Sequence, residues 1–396
     1  MNGSSGFEKP FPRLQDRLTA GDAEAVFALL AEESLAEKNY AQLFEARLLA
    51  ARRRLGLPLL ASAAPAQMDE AQRRSYDEAV MAAAREAGTL FLEQGEIARA
   101  WPYFRALGEP GPVADAIGRF EGGEQADAVI EIALGERVNP LRGLELILTH
   151  HGTCRAITLF DQYPDAATRE AGLRLLVKTL HAELRSNLIR SIEQQEGSAP
   201  AGTIPELIAG REWLFGEYDY YVDTSHLISV LRFTAESADR ETIAMAVELA
   251  RYGEKLAPMF HHKGDAPLDD VYVDHKIWLR AFAGEDVEGA VGHFRAKVDA
   301  LNLEETGTYP AQVLVRFLVR LERYREAIAV FEKHLTDTDP AYLMCPNLYD
   351  LCRLAGDYER LRQLAVERGD PITYAAASLE SDSRGAPSPV PDAAAW

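Results

Sequence analysis

The chain has 396 residues, 47% of them hydrophobic and 26% charged, enough apolar content for a large buried core. Its 62 acidic against 42 basic residues give a formal net charge of -20, which repels nucleic-acid phosphates and anionic lipid and removes both from the expected partners. Cys154, Cys345 and Cys352 are odd in number and lack a C-x-x-C pair, and Met1 to Pro12 lacks a signal-like apolar run; the expectation is a soluble cytoplasmic protein without disulfides.

Helical periodicity dominates, while alternating β-branched runs are almost missing, so the predicted fold class is all-α. Residues Asp22 to Arg54 read as two helices around Lys38, Asn39 and Tyr40, followed by an Ala- and Pro-rich connector from Leu55 to Met68. The clearest unit runs from Tyr76 to Gly118, where Leu90, Phe91, Ala100 and Phe104 form facing apolar stripes and Gly95 supplies the turn. Six central helices follow: Leu141 to Leu148, Cys154 to Tyr163, Ala166 to Glu196, Ile204 to Phe215, Thr224 to Ser237, and Arg240 to Lys255. They are separated by breaks at His150-His151-Gly152, Gly197 to Gly202 and Gly216 to Asp223. A longer break rich in His, Asp and Pro, from Pro258 to Asp274, is a candidate functional loop because compact connectors are usually shorter. Ser381 to Trp396, with Pro387, Pro389 and Pro391 among small polar residues, is expected to be disordered.

The spacing of Gly88, Phe91, Gly95, Ala100, Phe104, Leu107 and Pro112 returns in part as Leu314, Leu318, Tyr324, Ala327, Phe331 and Pro340. Looser copies lie at Trp278 to Val298, with Gly284, Val287, Ala290 and Phe294, and at Leu348 to Val366, with Gly356 and Tyr358. Across Tyr76 to Gly118 and Trp278 to Val366 the chain resembles the tetratricopeptide repeat family. The resemblance implies a superhelix of antiparallel helix pairs with a concave groove for a peptide or partner helix, and it transfers no catalytic residue. Leu361 stands where the family prefers alanine, Val287 replaces an aromatic, and Glu124 to His275 carries no copy, so a closed α/α toroid is the alternative architecture. The expected organisation is N-terminal helices and connector (1-75), repeat-like pairs (76-140), a diverged His/Asp-rich centre (141-275), further repeat-like pairs (276-380) and a tail (381-396).

Seven of the nine histidines fall between positions 150 and 275. With nearby carboxylates, the set His150, His151, Asp223, His226, Asp274 and His275 has the ligand chemistry of one divalent transition metal, although no H-E-x-x-H or paired E-x-x-H motif occurs. The same letters have a plainer reading, in which Asp223 caps a helix, Asp274 starts the helix containing Trp278, and one of His150 and His151 caps helix carbonyls. Cys154 lies near those two histidines as a conceivable nucleophile, and more simply as a small packed residue.

The aromatic run Trp213, Phe215, Tyr218, Tyr220 and Tyr221 has the composition of a surface for a sugar or other flat ligand. Core packing is expected for Trp213 and Phe215, and solvent or ligand contact for at least one tyrosine hydroxyl. Asp269, Asp270 and Asp274 are the acids in which a glycoside-hydrolysing pair would be sought. Nucleotide-loop and serine-hydrolase motifs are absent. Two functional expectations result. The first is a scaffold that binds a protein, a peptide or a small polar ligand in a groove; the second is a metal-dependent enzyme with its site in the central region.

Overall fold

The computed structural model describes residues 10–60 and 68–382, so residues 61–67 of the expected connector and residues 383–396 of the expected tail lie outside it. The fold is all-α: among the described residues no β-strand forms, and the one β-bridge joins Lys263 to Asp270. No described helix is long and apolar enough to cross a membrane. The chain divides into two compact units, Met1–Gly172 and Leu173–Trp396.

In the first unit, the two helices expected around Lys38 are Ala23–Ala36 and Tyr40–Arg54. Asp22 and Asn39 start them by accepting hydrogen bonds from the amides of Ala25 and Gln42, which satisfies donors that a helix start leaves without partners. The next helix, Glu70–Glu93, begins earlier than its apolar pattern suggests, because Asp69 and Gln72 form a reciprocal capping box. Gly95, at φ +75°, reverses the chain into Ile97–Leu107. Consecutive helices pack as pairs. Their seam is aromatic, with Tyr40 edge-on to Phe91 at 5.1 Å, Phe91 stacked on Tyr103 at 5.7 Å, and Phe44 edge-on to Tyr103 at 5.3 Å.

Gly88 is the small residue that lets this crossing close. A Cβ there would lie 2.9 Å from Phe104 Cε2 and 3.2 Å from Tyr103 Cβ, and Phe104 is fully buried. Gly88→Ala therefore sets a helix-propensity gain of about 1 kcal/mol against an overpacking cost of about 1–3 kcal/mol. The expected net result is a loss of about 0–2 kcal/mol, read as a lower urea midpoint; a rise in the midpoint would show that the seam is loose.

The first unit continues through Gly111–Arg119, Ala126–Ile130 and one π-turn, Glu131–Gly135. It then enters Pro140–Phe160, where Gly152 (φ 82, ψ 175) interrupts the helical backbone at the break expected after His151.

In the second unit, the expected central helix Ile204 to Phe215 is two pieces. Ile204–Ile208 ends before Gly210, at φ +69°, and a short 3-10 turn, Glu212–Leu214, follows. The helices Thr224–Thr234 and Arg240–Gly253 match expectation within two or three residues. Helix pairs then repeat as Val271–Phe282 with Val287–Asp299, Tyr309–Arg320 with Tyr324–His334, and Leu348–Ala355 with Tyr358–Arg368, before a final helix, Pro371–Asp382.

The centre of this unit is a four-ring cluster. Trp278 lies 4.4 Å from Phe317, 5.4 Å from Phe294 and 5.7 Å from Phe282, centroid to centroid. The Trp278 Nε1–H donates to the Ala235 carbonyl at 2.9 Å. The Arg320 guanidinium donates to the same carbonyl and to that of Ser237, and sits 3.8 Å from the Phe282 ring centroid. These donors satisfy carbonyls just beyond the end of the Thr224–Thr234 helix.

Candidate functional site

Of the six residues expected to bind metal, His150 and His151 belong to the first unit and the other four to the second. His150 packs against Gly122, where an added Cβ would lie 2.5 Å from its Cε1. His151 Nε2 is 2.8 Å from Asp127 Oδ1, close enough for an ion pair but not aligned as a hydrogen bond. Asp223 is the N-cap of Thr224–Thr234, accepting from the amide and the hydroxyl of Ser225. The Ser225 hydroxyl is the main reason that its carboxyl is held below the usual carboxylate range, with the Ser225 and His226 amides and the nearby His226 ring adding to it against the opposing effect of burial. His226 is half-buried in that first turn.

Asp274 does not start its helix, which corrects the plainer reading. Asp270 is the N-cap, accepting from Val273, so Val271–Phe282 begins three residues earlier and carries Asp274 and His275 inside it, both buried. His275 turns its Nδ1–H to the Val271 carbonyl at 2.7 Å. Burial depresses its imidazole to about 4, so it is neutral at pH 7. Among the described residues, no three His, Cys, Asp or Glu side chains are grouped so as to hold a metal ion.

Asp274 instead anchors an ionic cluster in which the sequence reading had no part for His293 or Lys297. Its Oδ1 accepts from His293 Nε2 at 2.8 Å; its Oδ2 accepts from Lys297 Nζ at 2.5 Å and from the Asp270 amide at 2.7 Å. Lys297 also reaches Asp269 at 2.5 Å. Burial alone would lower the lysine pKa, but the two carboxylates raise it. The acids considered for glycoside hydrolysis are thus occupied: Asp269 and Asp274 share one ammonium, and Asp270 caps a helix. One signal was available. His293 and Lys297 are four apart on Val287–Asp299, so they share a helix face and both meet the acidic stretch before Trp278. Cys154, which the plainer reading packs, is exposed; Cys345 and Cys352 are buried, which pushes their thiols up to about 12 and about 11.

What the structure does bring together is the aromatic run and the long His/Asp/Pro loop. Residues 212–221 run beside residues 252–260 through four contacts: Lys255 Nζ to Glu212 Oε1 at 3.2 Å, Phe215 to Tyr252 at 5.9 Å, the Tyr221 amide donating to the Tyr252 hydroxyl at 2.8 Å, and Tyr220 edge-on to Phe260 at 5.4 Å. Tyr221 is pinned from its other side, where Asn187 Nδ2 donates to its carbonyl at 2.7 Å and Ser191 meets its hydroxyl at 3.3 Å. Pinning Tyr221 leaves its neighbours facing out. Tyr218 is 69% exposed, Tyr220 55% and Met259 55%.

Trp213 departs from the expected core position and is 42% exposed. The reason is the interruption at Gly210: once the helix stops, its face is not carried forward, and Leu214 takes the buried place. Below this strip the loop is well held. Tyr272 donates to the Phe260 carbonyl at 3.2 Å, and the His261 ring lies edge-on to Tyr272 at 5.2 Å with its Nε2 3.0 Å from the Leu256 carbonyl. The strip is therefore a set of projecting aromatic rings on a fixed base. Such rings offer flat apolar faces, while the indole N–H and phenol hydroxyls can hydrogen-bond to a ligand. Compared with known protein families and with curated proteins, the chain matches none.

Proposed function

We propose that the protein is a helical-repeat scaffold of the tetratricopeptide kind whose recognition surface is the aromatic strip formed by residues 212–221 and 257–260. The consecutive helix pairs, with Gly88 and Phe104 at one crossing, support the repeat reading. The observation that carries the binding reading is the exposure of Trp213, Tyr218, Tyr220 and Met259 together on adjacent, well-anchored segments. Aromatic residues that keep few rotamers contribute much contact area at low entropic cost, which is why they concentrate in binding surfaces. The free thiols of Cys154, Cys345 and Cys352 fit a reducing compartment such as the cytoplasm.

The test is selection on the full-length protein from a displayed random-peptide library and, in parallel, from a glycan array. Every binder is then measured again on a Trp213→Ala, Tyr218→Ala, Tyr220→Ala triple variant whose helicity and melting are unchanged. At least one binder is expected to lose about tenfold in affinity, roughly 1.4 kcal/mol. If every binder holds equally well to both proteins, the strip is not the recognition surface.

A further inference from the structure

We propose that the helix Pro371–Asp382 is a self-association surface, on which the same helix of a second copy of this chain docks antiparallel about a two-fold axis. From Pro371 to Leu379 no Asp, Glu, Lys or Arg occurs, in a chain that is 26% charged. The preceding helix, Tyr358–Arg368, carries five charged residues, Glu359, Arg360, Arg362, Glu367 and Arg368. The final helix packs on that neighbour, with Ala377 buried. At about 100° per residue, Ile372, Ala375, Ala376 and Leu379 share the face opposite Ala377. All four are exposed, Ile372 by 80% and Leu379 by 71%. A helix that is apolar on both faces belongs to a buried setting, because leaving one side bare keeps branched aliphatic side chains in water.

The stripe selects its occupant by the order of its side chains: large, small, small, large. Ile372 and Leu379 are equally distant in sequence from the midpoint between Ala375 and Ala376. When a second copy is turned end for end about that midpoint, alanines meet alanines and Ile372 of each copy meets Leu379 of the other, the reciprocal contact of an isologous interface. The alanines let the two axes approach to about 8 Å, and the larger side chains close both ends of the crossing. A charged ligand finds no counter-charge on this face. The 12-residue helix is about 18 Å long, which makes the contact a small, reversible one rather than an obligate dimer. Each copy also carries a net charge of -20, so two copies repel at low salt. Raising the salt screens that repulsion and should tighten the contact, the opposite of what an ionic interface does.

The test is sedimentation velocity on the full-length protein, from about 1 to 300 µM at low and at high salt. A monomer–dimer equilibrium in the micromolar range is expected, tighter at high salt. Leu379→Glu and Ile372→Lys, both at exposed positions, should each weaken dimerisation at least tenfold, because each buries a charge against an aliphatic side chain, while the melting of the monomer is unchanged. Mixed in equal amounts, the two variants should associate again. Antiparallel pairing sets the new ammonium against the new carboxylate at one end of the crossing and keeps Ile372 with Leu379 at the other. A chain that stays monomeric throughout, a dimer indifferent to both substitutions, or a dimer that loosens as salt rises overturns the proposal. Dimers lost in each variant and not recovered in the mixture overturn the antiparallel pairing. A monomeric chain in which Leu379→Glu lowers the melting temperature would show that the stripe is covered from within its own sequence, and one in which melting holds would show it bare; either result also overturns the proposal.

Discussion

Trp278→Ala is expected to cost about 3–5 kcal/mol of stability, the usual range for deleting a buried indole. The side chain is 4% exposed and touches three phenylalanines drawn from its own helix, from Val287–Asp299 and from Tyr309–Arg320. Its removal leaves a cavity where several helices meet, and it breaks aromatic pairs worth about 0.5–1.5 kcal/mol each beyond their area. It also withdraws one of the two donors on the Ala235 carbonyl, but Arg320 still serves that oxygen, so the polar part of the loss is small. Trp278→Phe keeps ring packing and loses only the N–H and some volume, so it should fall in between, at about 1–2 kcal/mol. Urea unfolding followed by far-ultraviolet circular dichroism measures both. An alanine variant within about 1 kcal/mol of wild type would mean that the cluster collapses freely around the gap.

Acid should weaken the fold through His275. Burial holds its pKa at about 4 against an ordinary 6.5, with the Val271 carbonyl and Asp274 opposing that shift and Arg232 adding to it. Above pH 6.5 the ring is neutral in both folded and unfolded chains and its environment contributes fully. Between pH 6.5 and about 4 the unfolded chain binds a proton that the folded chain refuses, so stability falls as pH falls. Each pH unit in that window removes about 1.4 kcal/mol, for a total of roughly 3 kcal/mol by pH 4. His275→Leu removes this titration while giving up the bond to Val271, so the variant should start less stable at pH 7.5 and lose less than wild type on going to pH 4.5. Parallel stability curves for the two proteins over that interval would show that His275 takes up its proton without resistance.

The helix pairs were legible because their signals are local. Apolar residues at three- and four-residue spacing, glycine at Gly95 and Gly356, and the break around Lys38, Asn39 and Tyr40 act within a turn or two, and the structure follows them closely. The break at Gly152 was legible for the same reason. The candidate site was legible in part: the run from Trp213 to Tyr221 and the loop after Pro258 were both visible, but their adjacency depends on Tyr252 and Asn187, remote in sequence from much of what they hold. Trp213 was placed in the core because its surroundings continue an apolar pattern that a positive φ at Gly210 cuts short. The histidines that lie close in number have separate surroundings, His150 against Gly122, His151 beside Asp127, and His275 bonded to the Val271 carbonyl within its own helix. His293, outside the histidine-rich stretch, holds the buried carboxylate of Asp274.

In an ideal stack of helical repeats each layer touches only the next, and layers can be added or removed with little effect on distant ones. Arg320 departs from that rule, since its guanidinium secures carbonyls 83 and 85 positions earlier in the chain. The span between Thr224 and Arg320 is therefore tied end to end by a side chain as well as by layer-to-layer packing. Trp278 already serves the Ala235 carbonyl, so in a growing chain it is the Ser237 carbonyl that gains its arginine donor only once Arg320 has been made.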